Sequence, residues 1–275
     1  MVPFIGAGLS KAGGFPTWEE HLRTQGRTAG INAAHIERLL ASGHYEEVIA
    51  EIETIRGREV FTQELRDVFS RTGQITDTTR LITDLFPDTV ITTNYDRLIE
   101  QAFDTGAPTA YQVITGLDTG EKTEADRATI VKLHGDIRTP GNCILSKNQY
   151  DQAYGNDSID MTRPISRLLE YYYKNGSLLF LGCSLNSDRT VQVFRAIKQG
   201  INDSAIPEHF AIVQAPEKEQ ELVNRNEYLL RLGITGIWFE KGQFQYVEDI
   251  LRLARNELRY RGEMPNGQGH PSAAG

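Results

Sequence analysis

Two polar residues, each directly after an apolar run, are the strongest candidates for chemistry in this sequence. His134 follows the run at 129–133, and Asn94 follows the run at 88–93. An imidazole can exchange a proton near neutral pH, whereas a carboxamide donates and accepts hydrogen bonds without titrating. His134 could therefore act as a general base, and Asn94 could orient a water or a ribose hydroxyl. A core histidine, and an asparagine that caps a helix beginning at Tyr95, are the structural alternatives.

An aspartate stands two positions after each of these residues. Asp136 could hold the imidazole of His134 in one tautomer, and Gly135 between them leaves one side open to a ligand. Asp96 would fall in the first turn of the following helix, where its charge could simply interact with the helix dipole. Both aspartates are candidate site residues, and Asp96 keeps this structural alternative.

A glycine-rich segment, GAGLSKAGGFP at 6–16, follows the first apolar run of the chain. Its glycines would let backbone N–H groups approach a pyrophosphate closely. The segment departs from the usual dinucleotide fingerprint, because Lys11 stands where a third glycine or alanine is required. No helix is predicted to start inside it. A glycine-rich turn without a ligand is the alternative.

A sheet is needed to bring these segments together. Six short runs rich in β-branched and aromatic residues are predicted strands, and most are continuously apolar, as in strands buried on both faces of a parallel sheet. Helical patterns separate them, which is typical of a Rossmann-like, doubly wound α/β fold with a mainly parallel six-stranded sheet. A seventh run at 111–115 is weaker. The predicted strands lie at 2–5, 88–93, 128–133, 177–182, 209–213 and 234–239.

Polar and glycine residues collect directly after the predicted strands. In an open parallel sheet, ligands bind beyond the carboxyl ends of the strands, so this edge is the predicted site. The residues there are GAGLS at 6–10, NYD at 94–96, HGD at 134–136, the tail of GCSLNSD at 182–188, Gln214, and Glu240 with Lys241 and Gly242.

One domain is expected over 1–262. Residues 18–86 carry no strand pattern and are predicted as an all-helical insertion, which Thr17 and Glu20 open as a capping box. A smaller insertion is predicted at about 146–175, and a disordered polar tail at 263–275.

Charge and cysteine content argue against several classes of protein. The net charge of −8 and the pI near 5.4 disfavour a nucleic-acid-binding surface. Cys143 and Cys183 are too few for a four-cysteine zinc site, so we expect buried thiols in a reducing cytoplasm. The sequence shows no signal peptide, no apolar run long enough to span a bilayer and no cluster of metal ligands.

Five segments, taken in chain order, resemble the sirtuin superfamily: GAGLS, GFPTW, ITTNYD, KLHGD and GCSL. The chain looks most similar to a bacterial branch of sirtuin-like NAD hydrolases used in phage defence. The similarity covers about 2–185 and continues more loosely to residue 240. The resemblance implies that NAD+ is the substrate and that no metal is required.

The resemblance also implies a role for each matching residue. Asn94 would position the ribose or the attacking water, Asp96 would hold the carboxamide of nicotinamide, and His134 would be a base near the ribose hydroxyls. Trp18 stands where deacylating sirtuins have a phenylalanine in a mobile loop beside the nicotinamide. The other residues expected to contact NAD+ are Gly6, Ala7, Gly8 and Ser10 at the phosphates, Gly182, Ser184 and Leu185 on the adenosine side, and Thr93, Asp136 and Gln214.

Two departures from the family separate the candidate activities. Deacylating sirtuins carry a structural zinc held by four cysteines, and their loop motif has phenylalanine and arginine where this chain has Trp18 and Glu19. We therefore expect a site that admits NAD+ and water, and an NAD+ glycohydrolase that releases nicotinamide and ADP-ribose or cyclic ADP-ribose. An NAD-dependent deacylase or ADP-ribosyltransferase stays open as an alternative, as does a non-catalytic subunit that binds NAD+ or ADP-ribose.

The resemblance further implies a role in abortive infection, in which NAD+ depletion has to be gated. Because the chain looks too short to carry its own sensor, we expect gating by homo-oligomerisation or by a separately encoded partner. A DNA-translocating hexameric ATPase is the first expectation for this partner, and an Argonaute is the second.

Overall fold

Seven strands form one sheet, and every neighbouring pair in it is parallel. The computed structural model describes residues 1–106, 110–116, 127–186, 188–200 and 206–264. Within these ranges the prediction of a Rossmann-like α/β fold is confirmed, whereas the expected tail at 263–275 lies outside them from residue 265 onward. The strands are β1 (Val2–Ile5), β2 (Thr89–Thr92), β3 (Tyr111–Thr115), β4 (Ala128–Lys132), β5 (Leu178–Leu181), β6 (His209–Gln214) and β7 (Ile234–Phe239).

Strand β3 is one more than the six strands predicted. It lies at one edge of the sheet and pairs with β4, so Tyr111 and Val113 keep partial exposure while Ile114 is buried. A strand that is partly exposed need not be continuously apolar, which explains why the signal of the run at 111–115 is weak.

In the described ranges, helices lie between successive strands except between β3 and β4. The side chain of Thr17 accepts a hydrogen bond from the Glu20 N–H at 3.2 Å, and the Glu20 carboxylate accepts one from the Thr17 N–H at 2.9 Å, which confirms the capping box. Among the described residues, no helix has the length and apolar character needed to cross a membrane. The helices are α1 (Ala7–Ala12), α2 (Trp18–Thr28), α3 (Ala33–Ala41), α4 (Tyr45–Arg56), α5 (Arg58–Phe69), α6 (Asp77–Leu85), α7 (Leu98–Thr105), the 3-10 turn Pro140–Asn142, α8 (Lys147–Tyr154), α9 (Pro164–Asn175), α10 (Arg189–Gln199), α11 (Glu219–Arg231) and α12 (Gln245–Arg261).

The order of the strands places a ligand-binding gap beside β1. Across the sheet the order is β3-β4-β2-β1-β5-β6-β7. The chain forms one half of the sheet with β1 to β4, with β3 at the edge and β4 between β3 and β2, and then crosses back to β5 for the other half. Because the order reverses between β1 and β5, the gap between their carboxyl ends is where sheets of this kind bind ligands.

Alternate residues along the strands face two hydrophobic cores. Phe4 and Val131 pack into the core on one face of the sheet, and Ile5 and Ile130 pack into the core on the other face. This arrangement buries both faces, as the continuously apolar runs predict.

The helices between β1 and β2 have a core of their own. Leu22, Ile49 and Phe61 are fully buried there, and Tyr95 and Leu98 from the region after β2 join them. This helical segment is therefore packed against the chain that leaves β2, close to the predicted ligand edge.

Both cysteines are free thiols, but only Cys143 is buried as expected, because Cys183 is partly exposed and lines the crevice. Cys143 is buried, and Cys183 lies against the backbone of Gly6. Burial raises the pKa of both thiols, to about 12 for Cys143. They behave as small apolar side chains.

Candidate functional site

The glycine-rich segment packs its backbone directly against the end of β5 and the turn that follows it. The Gly6 N–H donates to the Leu181 oxygen at 2.9 Å, and the Gly8 N–H donates to the Gly182 oxygen at 2.9 Å. A Cβ atom would lie 2.5 Å from the Gly182 oxygen if placed at Gly6, and 2.8 Å from it if placed at Gly8. The two glycines are therefore required for this close approach, and their N–H groups already bind within the protein.

Helix α1 begins at Ala7, inside the glycine-rich segment. The prediction that no helix starts there is therefore wrong. Gly6 takes the extended N-cap conformation, and the residues AGLSKA that follow include alanine, leucine and lysine, which favour a helix. The helix stays short because Gly13 and Gly14 end it.

A crevice of about 1040 Å³ opens at the carboxyl edge of the sheet. Small-molecule sites usually measure roughly 300–1,000 Å³, so this crevice can hold an extended ligand. Ser10 and Asp136 are buried and do not line it. The sequence-predicted residues that do line it are Gly6, Ala7, Gly8, Trp18, Thr93, Asn94, Asp96, His134, Gly182, Ser184, Leu185 and Gln214.

The amide of Asn94 lines the crevice and is held by the protein behind it. Its Nδ2 donates to the Ser10 hydroxyl at 2.9 Å, and its backbone N–H donates to the Thr92 hydroxyl at 3.0 Å. Ser10 also hydrogen bonds to Asp96. One buried hydroxyl thus fixes both polar side chains of the turn after β2.

Asp96, and not Asn94, accepts a hydrogen bond from the first turn of the helix that follows β2. Helix α7 begins at Leu98, whose N–H donates to the Asp96 carboxylate at 3.0 Å. The alternative in which Asn94 caps a helix starting at Tyr95 is therefore wrong. Burial raises the pKa of Asp96, although the Leu98 N–H and the charge of Lys132 oppose the rise.

His134 is buried against two tyrosines and still reaches the crevice. Its Nε2 lies 2.7 Å from the Tyr154 hydroxyl, and its Nδ1 lies 3.5 Å from the Tyr150 hydroxyl. Burial lowers the pKa of His134 to about 4. The imidazole is therefore neutral at neutral pH and a weaker base than the sequence suggests.

Asp136 does not hold the imidazole of His134, so that prediction is wrong. Its carboxylate accepts from the Arg138 backbone N–H at 2.8 Å and from the Arg138 guanidinium at 3.1 Å. It also lies 3.5 Å from the Lys132 ammonium. Burial alone would raise the pKa of Asp136, but these two cations lower it overall. The carboxylate binds the cations behind the turn, and the tyrosines contact His134 instead.

Lys132 is a positioning residue that was not predicted from the sequence. Its ammonium donates to the Tyr95 oxygen at 3.1 Å, the Asp96 oxygen at 2.6 Å and the Glu100 carboxylate at 3.0 Å. The side chain is fully buried and ties the turn after β2 to the end of β4, just before His134. A lysine within the apolar run ATIVKL is the signal that could have revealed it, because a buried charge needs partners.

Tyr150 and Tyr154 were not predicted as site residues either. They lie four residues apart on α8, so both side chains face the same way, toward His134. Their rings stand edge-on to the imidazole at 5.3 Å and 5.9 Å between centroids. The Tyr154 hydroxyl also lies 3.2 Å from the Thr190 hydroxyl. The four-residue spacing of tyrosines in SKNQYDQAY was the available signal.

The helical segment contributes another wall of the crevice. Trp18, at the start of α2, stacks on His21 at 5.6 Å and contacts the Tyr95 ring at 5.2 Å. The Tyr45 hydroxyl donates to the Glu19 carboxylate at 2.9 Å. Trp18, Glu19 and Tyr45 all line the crevice, so the helices between β1 and β2 take part in the site.

The turn after β5 holds a strained residue at the crevice. Leu185 has a φ of 49°, in the left-handed region that residues other than glycine rarely adopt. The Arg225 guanidinium binds the oxygens of Ser184 and Leu185 from outside, the second at 3.1 Å. Strain of this kind collects at ligand sites, where the surrounding structure maintains it. Nothing in the sequence around Arg225 reveals this role.

Two polar side chains complete the crevice on the side of β5, β6 and β7. The Gln214 side-chain oxygen accepts from the Gly242 N–H at 3.0 Å, which joins the ends of β6 and β7. The Asp188 carboxylate caps α10 by accepting from the Val191 N–H at 2.9 Å. Burial raises the pKa of Asp188 to about 6, so this carboxyl group titrates closer to neutral pH than an ordinary aspartate.

The crevice therefore presents an amide, buried carboxyl groups, a neutral imidazole and phenol hydroxyls. Such groups bind sugar hydroxyls and amides, and they can orient a water molecule. In the described part of the chain, no three His, Cys, Asp or Glu residues are grouped so that they could hold a metal ion.

A parallel sheet with helices between its strands, and with a polar crevice where the strand order reverses, defines the doubly wound class of α/β protein, which binds ligands at this point. A family model described as "SIR2-like domain" matches residues 88–233, more than half of the chain. The chain belongs to this family, and the resemblance to the sirtuin superfamily is confirmed.

Curated proteins from several bacteria are similar to this chain. It is 28% identical over 232 residues to "NAD(+) hydrolase ThsA" of Bacillus cereus (strain MSX-D12), covering 83% of this chain and 46% of the relative. It is 27% identical over 258 residues to "NAD(+) hydrolase ThsA" of Enterococcus faecium, covering 93% of this chain and 49% of the relative. The chain thus spans about half the length of these relatives.

Proposed function

We propose that this chain is an NAD+ glycohydrolase, which cleaves NAD+ to nicotinamide and ADP-ribose. The observation that carries the proposal is that Asn94, Asp96 and His134 line one crevice where the strand order reverses. The curated relatives named "NAD(+) hydrolase ThsA" support the substrate and the reaction.

The reaction needs orientation and electrostatic stabilisation more than acid catalysis. The C1′–N bond breaks, and its electron pair leaves with nicotinamide, which departs as a neutral molecule without a general acid. Water forms the new C1′–O bond and releases one proton, so NAD+ and water give nicotinamide, ADP-ribose and H+. Because the transition state resembles an oxocarbenium ion, the protein accelerates the reaction by placing the water and stabilising the developing charge.

The side chains of the crevice suit these tasks. Asn94, held by Ser10, would orient the attacking water or a ribose hydroxyl. Asp96 would bind the carboxamide of nicotinamide, with Trp18 beside the ring. His134 would contact the ribose hydroxyls as a neutral imidazole, since burial lowers its pKa to about 4.

The remaining predicted residues would act on the rest of NAD+. Gly6 and Gly8 would leave room for the phosphates beside Ala7, because their own N–H groups are used in the glycine turn. Ser10 and Asp136 would act from behind the crevice, through the side chains and turns that they hold. Thr93, Gly182, Ser184, Leu185 and Gln214 would line the path of the ribose and adenosine groups.

The proposal extends to a biological role and its control. The resemblance of the five sequence segments to defence-related NAD hydrolases supports NAD+ depletion during phage infection as the role. Unregulated depletion would kill the host, so we propose gating by homo-oligomerisation or by a separately encoded partner in the cytoplasm. A DNA-translocating hexameric ATPase is the first candidate partner and an Argonaute the second, and cyclic ADP-ribose is a second candidate product.

The test is to incubate the purified protein with NAD+, alone and with the products of neighbouring genes, and to resolve the products by chromatography. We expect equal amounts of nicotinamide and ADP-ribose, and a loss of about 100-fold or more in Asn94→Ala. Asn224→Ala, on the exposed part of α11, is the matched control and should keep the wild-type rate.

Other products would favour the other hypotheses. Nicotinamide released only when an acyl-peptide or a protein acceptor is present would indicate a deacylase or an ADP-ribosyltransferase. Saturable NAD+ binding without turnover under every condition would indicate a binding subunit. A wild-type rate in Asn94→Ala would contradict the assigned mechanism.

A further inference from the structure

We propose that His134 serves the site as a neutral hydrogen-bond donor through Nδ1, and that Tyr154 is the positioning residue that sets this tautomer. The proposal deepens the proposed NAD+ hydrolysis and rests on it for the catalytic consequence. The tautomer itself is a property of the protein without substrate.

The positions of the two tyrosines decide which ring nitrogen faces the crevice. Tyr150 and His134 line the crevice, whereas Tyr154 is fully buried and does not line it. Nε2 lies 2.7 Å from the Tyr154 hydroxyl and therefore points into the protein. Nδ1 lies 3.5 Å from the hydroxyl of Tyr150, a residue that lines the crevice, and we infer that Nδ1 is the ring nitrogen on the crevice side.

The distances around Tyr154 favour one direction for its hydrogen bond. A separation of 2.7 Å lies in the middle of the range for O–H donors and at the short end of the range for N–H donors, about 2.7–3.2 Å. The hydroxyl has one proton to donate and can accept from a second partner. It can donate to Nε2 of His134 and accept from the Thr190 hydroxyl, which lies 3.2 Å away.

Tyr154 and His134 each carry one exchangeable proton, so the direction of the hydrogen bond between them decides the tautomer. Burial raises the pKa of Tyr154 well above its ordinary value, so the phenol keeps its proton. Burial lowers the pKa of His134 to about 4, so the imidazole carries a single proton. If Nε2 accepts from Tyr154, that single proton is on Nδ1.

This tautomer changes the role of His134 in the crevice. An Nδ1–H directed at the ligand donates to an oxygen, such as a ribose hydroxyl, and cannot remove a proton from it. A general base acting from the same nitrogen would need the opposite tautomer, with the proton on Nε2 and the Tyr154 hydroxyl as acceptor. The two accounts thus differ in the position of one proton.

The direct test is to determine the tautomer in the free protein by nitrogen-15 NMR of labelled histidine, with the His134 signals assigned by their loss in His134→Asn. We expect Nδ1 protonated in the wild type, and loss of this preference in Tyr154→Phe. Tyr173→Phe is the matched control, since Tyr173 is as buried as Tyr154 and packs on a different histidine, His209. A wild-type protein protonated on Nε2, or an unchanged tautomer in Tyr154→Phe, would overturn the proposal.

Thr190→Val keeps the test decisive if Tyr154→Phe does not fold. The variant removes a hydroxyl that, on this proposal, donates to Tyr154, so the Nδ1–H tautomer should persist. If instead Nε2 of His134 donates to Tyr154, the Tyr154 hydroxyl donates to Thr190. Removing the Thr190 hydroxyl should then disturb the tautomer.

The catalytic consequence is tested by comparing two substitutions of His134. Asparagine can place an N–H donor near the position of Nδ1, whereas alanine cannot. His134→Asn should therefore cleave NAD+ at least about tenfold faster than His134→Ala. Equal rates in the two variants would overturn the donor role. If the wild type does not cleave NAD+ at all, the proposed function fails, while the NMR result still decides the tautomer.

Discussion

Two buried histidines, at opposite ends of strands in the same sheet, have similar surroundings and different relations to the crevice. His134 follows the carboxyl end of β4, and His209 begins β6. Burial lowers the pKa of each to about 4. Each also packs on a fully buried tyrosine, with 5.9 Å between the centroids of His134 and Tyr154 and 4.0 Å between those of His209 and Tyr173.

The difference lies in what the ring nitrogens meet. Nδ1 of His209 accepts from the Leu178 N–H at 3.1 Å, and its Nε2 is buried without a hydrogen-bond partner in the described part of the chain. Both nitrogens of His134 lie beside hydroxyl groups, and the ring reaches the crevice. Burial and a low pKa are therefore shared by both histidines, and the position of His134 at the carboxyl edge of the sheet is what supports its proposed role.

The largest effect on stability is expected from Lys132→Met, which removes the buried ion pairs beside His134. The substitution leaves the buried carboxylates of Glu100 and Asp136 without their shared cation. Removing one partner of a buried ion pair costs about 3–5 kcal/mol, so the free energy of unfolding should fall by that order. Urea denaturation measures it.

A matched substitution separates charge from packing at this position. Lys132→Arg keeps the positive charge and should be less destabilising than Lys132→Met, although its geometry differs. Equal stability of Lys132→Met and the wild type would show that the buried network contributes nothing, and that Lys132 does not position the turn after β2.

The pH dependence of stability tests whether burial lowers the pKa of both His134 and His209, the property that the two residues share. The unfolded chain binds a proton at each histidine near pH 6.5, while folded His134, His209 and His21 stay neutral down to about pH 4. The unfolded state therefore binds more protons in this window, and stability should fall as the pH is lowered from about 6.5 to about 4. The raised pKa of Asp188, about 6, acts in the opposite direction.

Urea titrations of the wild type and of His209→Gln at a series of pH values measure this slope. Glutamine does not titrate, so the variant should lose less stability on acidification than the wild type does. Identical slopes in the two proteins would mean that burial does not depress the pKa of His209.

A smaller loss of stability is expected from Tyr173→Phe, which changes the tyrosine that packs on His209. The Tyr173 hydroxyl donates to the Leu232 oxygen at 2.8 Å, and losing such a bond costs about 1–2 kcal/mol. Calorimetry should show this loss with no change in NAD+ cleavage, because Tyr173 does not line the crevice. A fall in the rate of cleavage by the folded variant would contradict the contrast between the two histidine–tyrosine pairs.

The smallest effect is expected from Arg138→Ala. The Arg138 side chain is 52% exposed, and its partner Asp136 keeps Lys132 as a second cation. An exposed pair contributes about 0–1 kcal/mol, so stability should change by less than about 1 kcal/mol. NAD+ cleavage should be unchanged, since Asp136 does not contact His134. A large loss of NAD+ cleavage in Arg138→Ala would contradict this account and would indicate that Asp136 acts on the imidazole of His134.

The sequence was sufficient to predict most of the sheet and the edge that carries the site. Continuously apolar runs identify strands buried on both faces, and β1 and β7 have the predicted bounds, Val2–Ile5 and Ile234–Phe239. Edge strand β3 is less apolar because it is partly exposed. The start of α1 inside the glycine-rich segment was not predicted, because the glycines in and around AGLSKA indicate a turn although its other residues mostly favour a helix.

The partners of the site residues could not be read from local sequence. Ser10 and Asn94 are 84 positions apart in the chain and meet because β1 and β2 are neighbours. Asp136 is close to His134 in sequence, yet two cations hold its carboxylate elsewhere. Tyr154 contacts His134 from α8, which the sequence indicated only as part of an insertion. Proximity in sequence was a poor guide to proximity at this edge of the sheet.

The most direct measurement compares nicotinamide release from NAD+ by His134→Ala and His209→Ala, each normalised to the amount of folded protein. The account predicts that His134→Ala, which removes a preorganised hydrogen-bond donor from the crevice, loses about 100-fold or more of the wild-type rate. His209→Ala should be less stable and keep its rate once folded. Equal rates in the two variants, or a greater loss in His209→Ala, would contradict the claim that the crevice at the carboxyl edge is where NAD+ is cleaved.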